Sequence, residues 1–409
     1  MITQLITQRP VRIQWIIIVI NICFGTTLTV AQPQEQSPAR HRPQYHVSNL
    51  ESLGGTSSAG NSINDRSWVA GYSRLTGDQA RHAALWRNRQ HHSILDLGTL
   101  GGPNSSVTWN VKNTAGIVVG ISQTADPEPL GEAWSSASFY SGPNAAGFIN
   151  LAFVWEGCQM RGLPNFPGGD NGFATGANNL GQVVGWAEND VHDPTCVSPQ
   201  VLQFRPAVWE LGPPDEIRDL PLITGDSSGA ATAINDNGQI VGISGICDQA
   251  VGRHTAKHAV LWENGGVTDI GNLGALYWNT PTAINQRGDV VGFAGAPNDP
   301  DGNFLQAFIW TRHGGMQPLG FLPGDVHSEA YGINERRQVV GLSCDVNGSC
   351  RAFIWENGVM RDLNDLKQAE FSARLETAKD INDKGQITGR AIDANNVRTA
   401  YLAVPADGR

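Results

Sequence analysis

A tract of the form Ile-Asn-Asp-Asn-Gly-Gln-Ile-Val-Gly, seen at Ile234 to Gly242, returns in altered form seven times between Ile63 and Gly389. The closing glycines are Gly71, Gly120, Gly185, Gly242, Gly292, Gly341 and Gly389, at steps of 49, 65, 57, 50, 49 and 48 residues. A period near fifty marks a supersecondary unit that cannot bury its apolar face alone and must stack on its neighbours. Seven residues before each glycine stands an asparagine: Asn64, Asn113, Asn178, Asn235, Asn285, Asn334 and Asn382. Asn and Asp bond their own backbone, and the glycine found four residues before the close in five copies accepts positive φ. Each tract therefore reads as a hairpin turn between the first two strands of its repeat.

Short apolar runs follow, such as His258-Ala259-Val260-Leu261-Trp262 and Arg351-Ala352-Phe353-Ile354-Trp355, each leading into a tight turn. They read as third strands. Six repeats carry the tryptophan, and the seventh, Thr399 to Ala403, lacks it. A Trp recurring once per unit in an alternating strand packs between successive sheets, where each buries ~150–250 Å². A fourth strand ends in Asp96-Leu97-Gly98 or its relatives at Asp219, Asp269 and Asp362. Seven units of four antiparallel strands predict an all-β chain folded as a seven-bladed β-propeller. The seventh unit has no fourth strand, whereas Asn49 to Gly55 resembles one and precedes the first hairpin. The segment from about Tyr45 to Gly54 is thus expected to complete the last blade and close the ring.

These three registers together resemble the HAF-repeat family of bacterial exported proteins across residues 45–404. The resemblance implies a propeller architecture and export, and no defined biochemical activity. The chain departs from the family at its histidine, which survives as His82 and His258 and is replaced by Leu151, Arg205, Gln306, Arg351 and Thr399.

Residues 1–31 carry Arg9 and Arg12, no acid, an apolar run and a small-residue close at Thr29-Val30-Ala31. They read as a signal peptide, or as an N-terminal anchor if left uncleaved. Residues 32–44, rich in Pro and Gln, read as a disordered linker, and 405–409 as a tail. The chain is acidic, at net −10. With no basic stripe it is a poor partner for nucleic acid or an anionic membrane, and a monomer is expected.

In an oxidising compartment Cys344–Cys350 and Cys196–Cys247 are expected disulfides, with Cys158 left over. The hairpin turns share the lower face. Loops from second to third strands and from repeat to repeat share the upper one. Three upper loops carry Gly-Asp, at Asp170, Asp226 and Asp325, the last followed by His327. They are ordinary turn chemistry, or a convergent set for Ca²⁺ or for sugar hydroxyls. Two insertions lie on the same face, one with Glu132, Trp134 and Tyr140 and one with Glu188 and Asp193. Loops on a rigid scaffold commonly carry function. The expected function is a non-enzymatic binding propeller for a glycan or protein. The alternatives are a hydrolase or lyase using carboxylates such as Glu132 and Asp193, and a structural cell-surface scaffold. Nucleophile-elbow, zinc-helix and phosphate-loop motifs are all missing from the chain.

Overall fold

Each asparagine-led tract folds as the sequence predicts, because one side chain organises the turn from within. In repeat 1 the Asn64 carboxamide oxygen accepts the N–H groups of Arg66 and Trp68 at 3.0 and 3.1 Å. In repeat 4 Asn235 does the same for Asn237 and Gln239. The two repeats lacking the turn glycine put Ser67 and Arg337 at φ 62° and 60° instead. The fold is a computed structural model describing residues 44–87, 93–132, 140, 145–249, 251–296, 299, 302 and 304–406. The expected leader, all but Gln44 of the linker, and Trp134 lie outside these residues.

The described chain is all-β, with two short 3₁₀ turns and no helix long and apolar enough to cross a membrane. Five four-stranded antiparallel sheets hold repeats 2 to 6, each with its strands in sequence order. Repeat 1 forms such a group from Gly54–Ile63 to Ile94–Asp96, and repeat 7 supplies Arg374–Ile381, Ile387–Ile392 and Arg398–Pro405. The strands of these two groups pair at one parallel bridge, Ser57 with Arg398. The N-terminal strand Tyr45–Asn49 lies antiparallel to the last strand, from Tyr45 opposite Pro405 to Asn49 opposite Tyr401. Repeat 7 thereby gains its fourth strand, as expected.

The recurrent asparagines also do something the sequence does not announce. While each oxygen holds its own turn, each amide donates to a carbonyl of the next repeat: Asn64 to Asn113, Asn113 to Ala177, Asn178 to Asn235, Asn235 to Asn285, Asn285 to Asn334, and Asn334 to Asn382. The last, Asn382, donates to Asn64 at 3.0 Å, so the series returns to its start. Every polar atom of a buried amide is thus used, as burial demands.

The tryptophans are core residues, as predicted. Trp86, Trp155, Trp209, Trp262 and Trp310 are buried and Trp355 is partly so. The indoles of Trp209 and Trp262 donate to the carbonyls of Pro164 and Pro221. Both expected disulfides form, Cys196–Cys247 and Cys344–Cys350, and Cys158 is an exposed free thiol.

Repeat 2 breaks the pattern. Its first strand stops at Ser106, and the following segment reaches across to the far repeats. There the Asn110 amide donates to the Tyr331 carbonyl. Lys112 donates to the carbonyls of Ile333 and Ile381 and pairs with the buried Asp380 carboxylate at 3.0 Å. Burial pushes the Asp380 carboxyl up, and Lys112 opposes that push. Below this crossing lies a cavity of about 200 Å³ lined by the turn residues of all seven repeats.

Candidate functional site

The first strand of six repeats slips register at one residue, three positions before the asparagine: Asn61, Thr175, Thr232, Thr282, Tyr331 and Lys379. Such bulges re-aim a side chain out of the pleat. At four of the six the side chain ties backbone together. Thr175 and Thr282 donate to carbonyls of the following repeat, Ala231 and Ala330, Asn61 donates to Val107, and Thr232 donates to Val241. In repeats 6 and 7 the position holds Tyr331 and Lys379 instead, and these two meet. The Lys379 ammonium lies 3.4 Å from the centre of the Tyr331 ring.

From that contact a polar chain runs outward. The Tyr331 hydroxyl donates to Glu329 at 2.5 Å, and the other Glu329 oxygen lies 2.8 Å from His327 Nε2. Since His327 Nδ1 accepts the Leu305 N–H, the imidazole proton sits on Nε2 and donates to Glu329. Burial raises the Glu329 carboxyl, yet His327, Tyr331 and Lys379 together hold it below its ordinary value. Burial likewise pushes the Lys379 ammonium down to about 8 against the pull of Glu329.

Beside this chain is a cavity of about 450 Å³ between repeats 7 and 1, lined by Tyr72, Arg74, Arg81, Arg390 and Arg398 together with Thr56, Ser57, Asp78 and Asn396. Arg81 stacks 3.9 Å over the Tyr72 ring. Glu376 holds Arg390 at 2.7 Å and Arg398 at 3.5 Å. Burial alone would raise the Tyr72 phenol, but the guanidinium groups of Arg81 and Arg390 outweigh it and set the phenol below its usual range. The pocket is therefore strongly positive inside an acidic protein.

The residues singled out from the sequence fare differently. His327 belongs to the polar chain just described. Asp226 is pinned in its own neighbourhood by Ser244 at 2.7 Å, with Lys257 at 3.5 Å and His258 at 3.9 Å. Asp325 is held by Arg351 at 2.9 Å, and Asp170 stands half-buried just ahead of its repeat's first strand. No described contact joins the three aspartates, and among the described residues no group of three or more His, Cys, Asp or Glu forms a metal cluster.

The insertion residues that are described, Glu132, Tyr140, Glu188 and Asp193, are buried rather than exposed. Tyr140 is fully buried beside Phe173, Trp186 and Phe204, and burial drives its phenol well up. Glu132 is also buried. It accepts the N–H groups of Val201 and Leu202 at 2.6 and 2.7 Å. Its carboxyl partner is Glu188, not Asp193: both acids contact the amides of Asn171 and Gln200. Burial, then the charge of Glu132, raises the Glu188 carboxyl well above its normal value. Asp193 instead caps Thr195 through that residue's N–H and hydroxyl.

The site residues missed from the sequence sit within strands, where single positions in repeats 6, 7 and 1 depart from the repeat. Aligning the copies on the asparagine and comparing the third residue before it would have exposed Tyr331 and Lys379.

No protein-family model matches the chain, and no curated protein matches it. Solved structures similar to it include the β-propeller domain of the Trilobed protease from Pyrococcus furiosus, at 10% identity over 85% of this chain and 94% of that one, with a TM-score of 0.47. Trypanosoma rangeli sialidase is similar at 11% identity over 78% and 57% of the two chains, TM-score 0.40. The fucose-specific lectin from Aleuria aurantia is similar at 12% identity over 67% and 77%, TM-score 0.34.

Proposed function

We propose that this chain is an exported, closed seven-bladed β-propeller of the HAF-repeat kind, which binds a glycan at its upper channel mouth without acting on it chemically. The blade count and closure are supported by the return of the asparagine series to Asn64 and by the pairing of Tyr45–Asn49 with the last strand. Export is supported by two disulfides and by the leader-like N-terminus.

One observation carries the choice of mouth. The channel is crossed by Lys112 and Asn110, and seven near-equivalent turns line the cavity below. Three neighbouring repeats at the opposite end replace structural side chains with Tyr331, Lys379 and a cluster of arginines. Where the repeat is broken, between repeats 7 and 1, a cavity of about 450 Å³ gives a ligand room. The hydrolase reading finds no support in its named pair, Glu132 and Asp193: Glu132 is buried and accepts the N–H groups of Val201 and Leu202, and Asp193 caps Thr195.

The full chain, expressed with its own leader and recovered from outside the cytoplasm, is to be probed on an array of neutral and acidic glycans. Binding is expected, with the bound glycan recovered intact after prolonged incubation. Arg390→Ala should abolish the signal. Cleavage of the glycan would replace this reading with the hydrolase, and capture of proteins alone would replace it with a protein-binding scaffold.

A further inference from the structure

We infer that the cavity between repeats 7 and 1 is a subsite for the carboxylate of an acidic sugar, the uronic-acid kind of residue, gripped by Arg390, Arg398 and Arg81. This rests on the proposed binding mouth and specifies what enters it.

Charge is the first argument. The chain carries 38 acidic against 28 basic residues, yet the residues lining this cavity include four arginines and one acid, Asp78. Asp78 is occupied, accepting the Thr56 N–H and hydroxyl at 2.8 and 2.6 Å. Glu376 is a single carboxylate shared by Arg390 and Arg398, and Arg390 also meets the Tyr72 hydroxyl, so two guanidinium forks face one carboxylate. Both bonds reach Glu376 Oε2 through Nε, and a second planar anion is the natural complement of guanidinium forks.

The neutral lining supplies the second argument. Thr56, Ser57 and Asn396 are small hydroxyl and amide groups, suited to a polyhydroxylated partner. Tyr72, the one aromatic lining residue, has its face covered by Arg81, which leaves little for a greasy ligand. The volume lies within the range of small-molecule sites. The same Arg81 and Arg390 hold the Tyr72 phenol below its usual range against the push of burial.

Isothermal titration of the full chain with trigalacturonate, its fully methyl-esterified form, and sodium sulfate as competitor tests the inference. A charge-assisted hydrogen bond is worth ~1.5–3 kcal/mol, or about tenfold and upward in affinity. The acid should therefore bind at least about tenfold more tightly than the ester, and more weakly as salt rises. Arg398→Gln should remove about tenfold for the acid and nothing for the ester, with an unchanged melting curve. Arg398→Lys, which keeps the charge, should retain part of the affinity even if the glutamine variant proves unstable.

Equal binding of acid and ester, both weakened by Arg398→Gln, would overturn the carboxylate while leaving the glycan mouth standing. Displacement by sulfate at an affinity matching the trisaccharide would reduce the cavity to a simple anion site and overturn the sugar. Absence of any binding overturns the inference outright, while the array result with neutral glycans separately decides the mouth.

Discussion

Lys112 shows how one side chain can tie down the segment that follows a shortened strand. The first strand of its repeat stops at Ser106, and the ammonium reaches repeat 7 at Asp380, whose side chain is wholly inaccessible. Removing one partner of such a pair leaves an uncompensated buried charge, typically a loss of ~3–5 kcal/mol. Lys112→Met should accordingly lower the denaturant midpoint by an amount equivalent to about 3 kcal/mol, and adding Asp380→Asn should recover most of it. Full additivity of the two losses would show that the pair is not coupled. None of this was legible in the sequence, where Lys112 is simply the residue before an asparagine. The asparagines themselves were half legible. Their turn-forming role follows from side-chain length, but the amide's bond to the next repeat depends on how the sheets stack. The position that opens the third strand is similar: His82 and His258 pair with Asp96 and Asp269 at 2.9 and 2.7 Å, and Arg205 and Arg351 pair with Asp219 and Asp362. The position asks for a nitrogen donor beside the fourth-strand aspartate, so histidine and arginine both serve.

At the scale of elements, strands and turns were readable because each repeats seven times, and the bulges were not, because a slip in register leaves the apolar alternation nearly intact on either side. The insertions were readable as loops but misplaced in depth. A loop rich in Glu, Trp and Tyr looks like a solvated rim. Here the Glu132 carboxylate instead accepts the backbone N–H groups of Val201 and Leu202, and Tyr140 fills the apolar cluster around Trp186. Two acids share this burial, and that makes the segment sensitive to pH. The folded Glu188 carboxyl titrates above its unfolded value of ~4.3, so the folded state holds the extra proton between the two. Stability is therefore full below the unfolded value and falls as pH rises toward the folded one. Glu188→Gln imitates the protonated form. Its melting temperature should exceed that of the natural chain at pH 7 and match it near pH 4; a constant offset at both pH values would place the effect in packing rather than in the proton.

The whole molecule depends on how its two ends meet, and here the sequence was most informative: a fourth strand missing after the last hairpin and a spare one before the first. Tyr45–Asn49 occupies that place, and the Gln368 side chain fastens it by accepting the Val47 N–H and donating to the Val47 carbonyl, both at 2.7 Å. Tyr45 and Val47 join Leu363, Leu366 and Tyr401 in one apolar cluster, and Leu50 packs with Ala400 and Leu402 in another. Full burial of a large apolar side chain is worth ~1.5–3 kcal/mol, so three of them represent roughly 5–9 kcal/mol, comparable with the whole stability of a domain. Deleting residues 45–50 should consequently do more than trim an edge. It should uncover the outer edge of Arg398–Pro405, promote association through that edge and remove the cooperative melt. General fragility would give the same result, so the decisive measurement is rescue. A synthetic peptide of residues 44–53 added to the deleted chain should restore the melt saturably, and a version with Tyr45 and Val47 changed to Ser should not. Restoration that needs no peptide, or that the altered peptide equals, would mean the fold holds without its N-terminal strand.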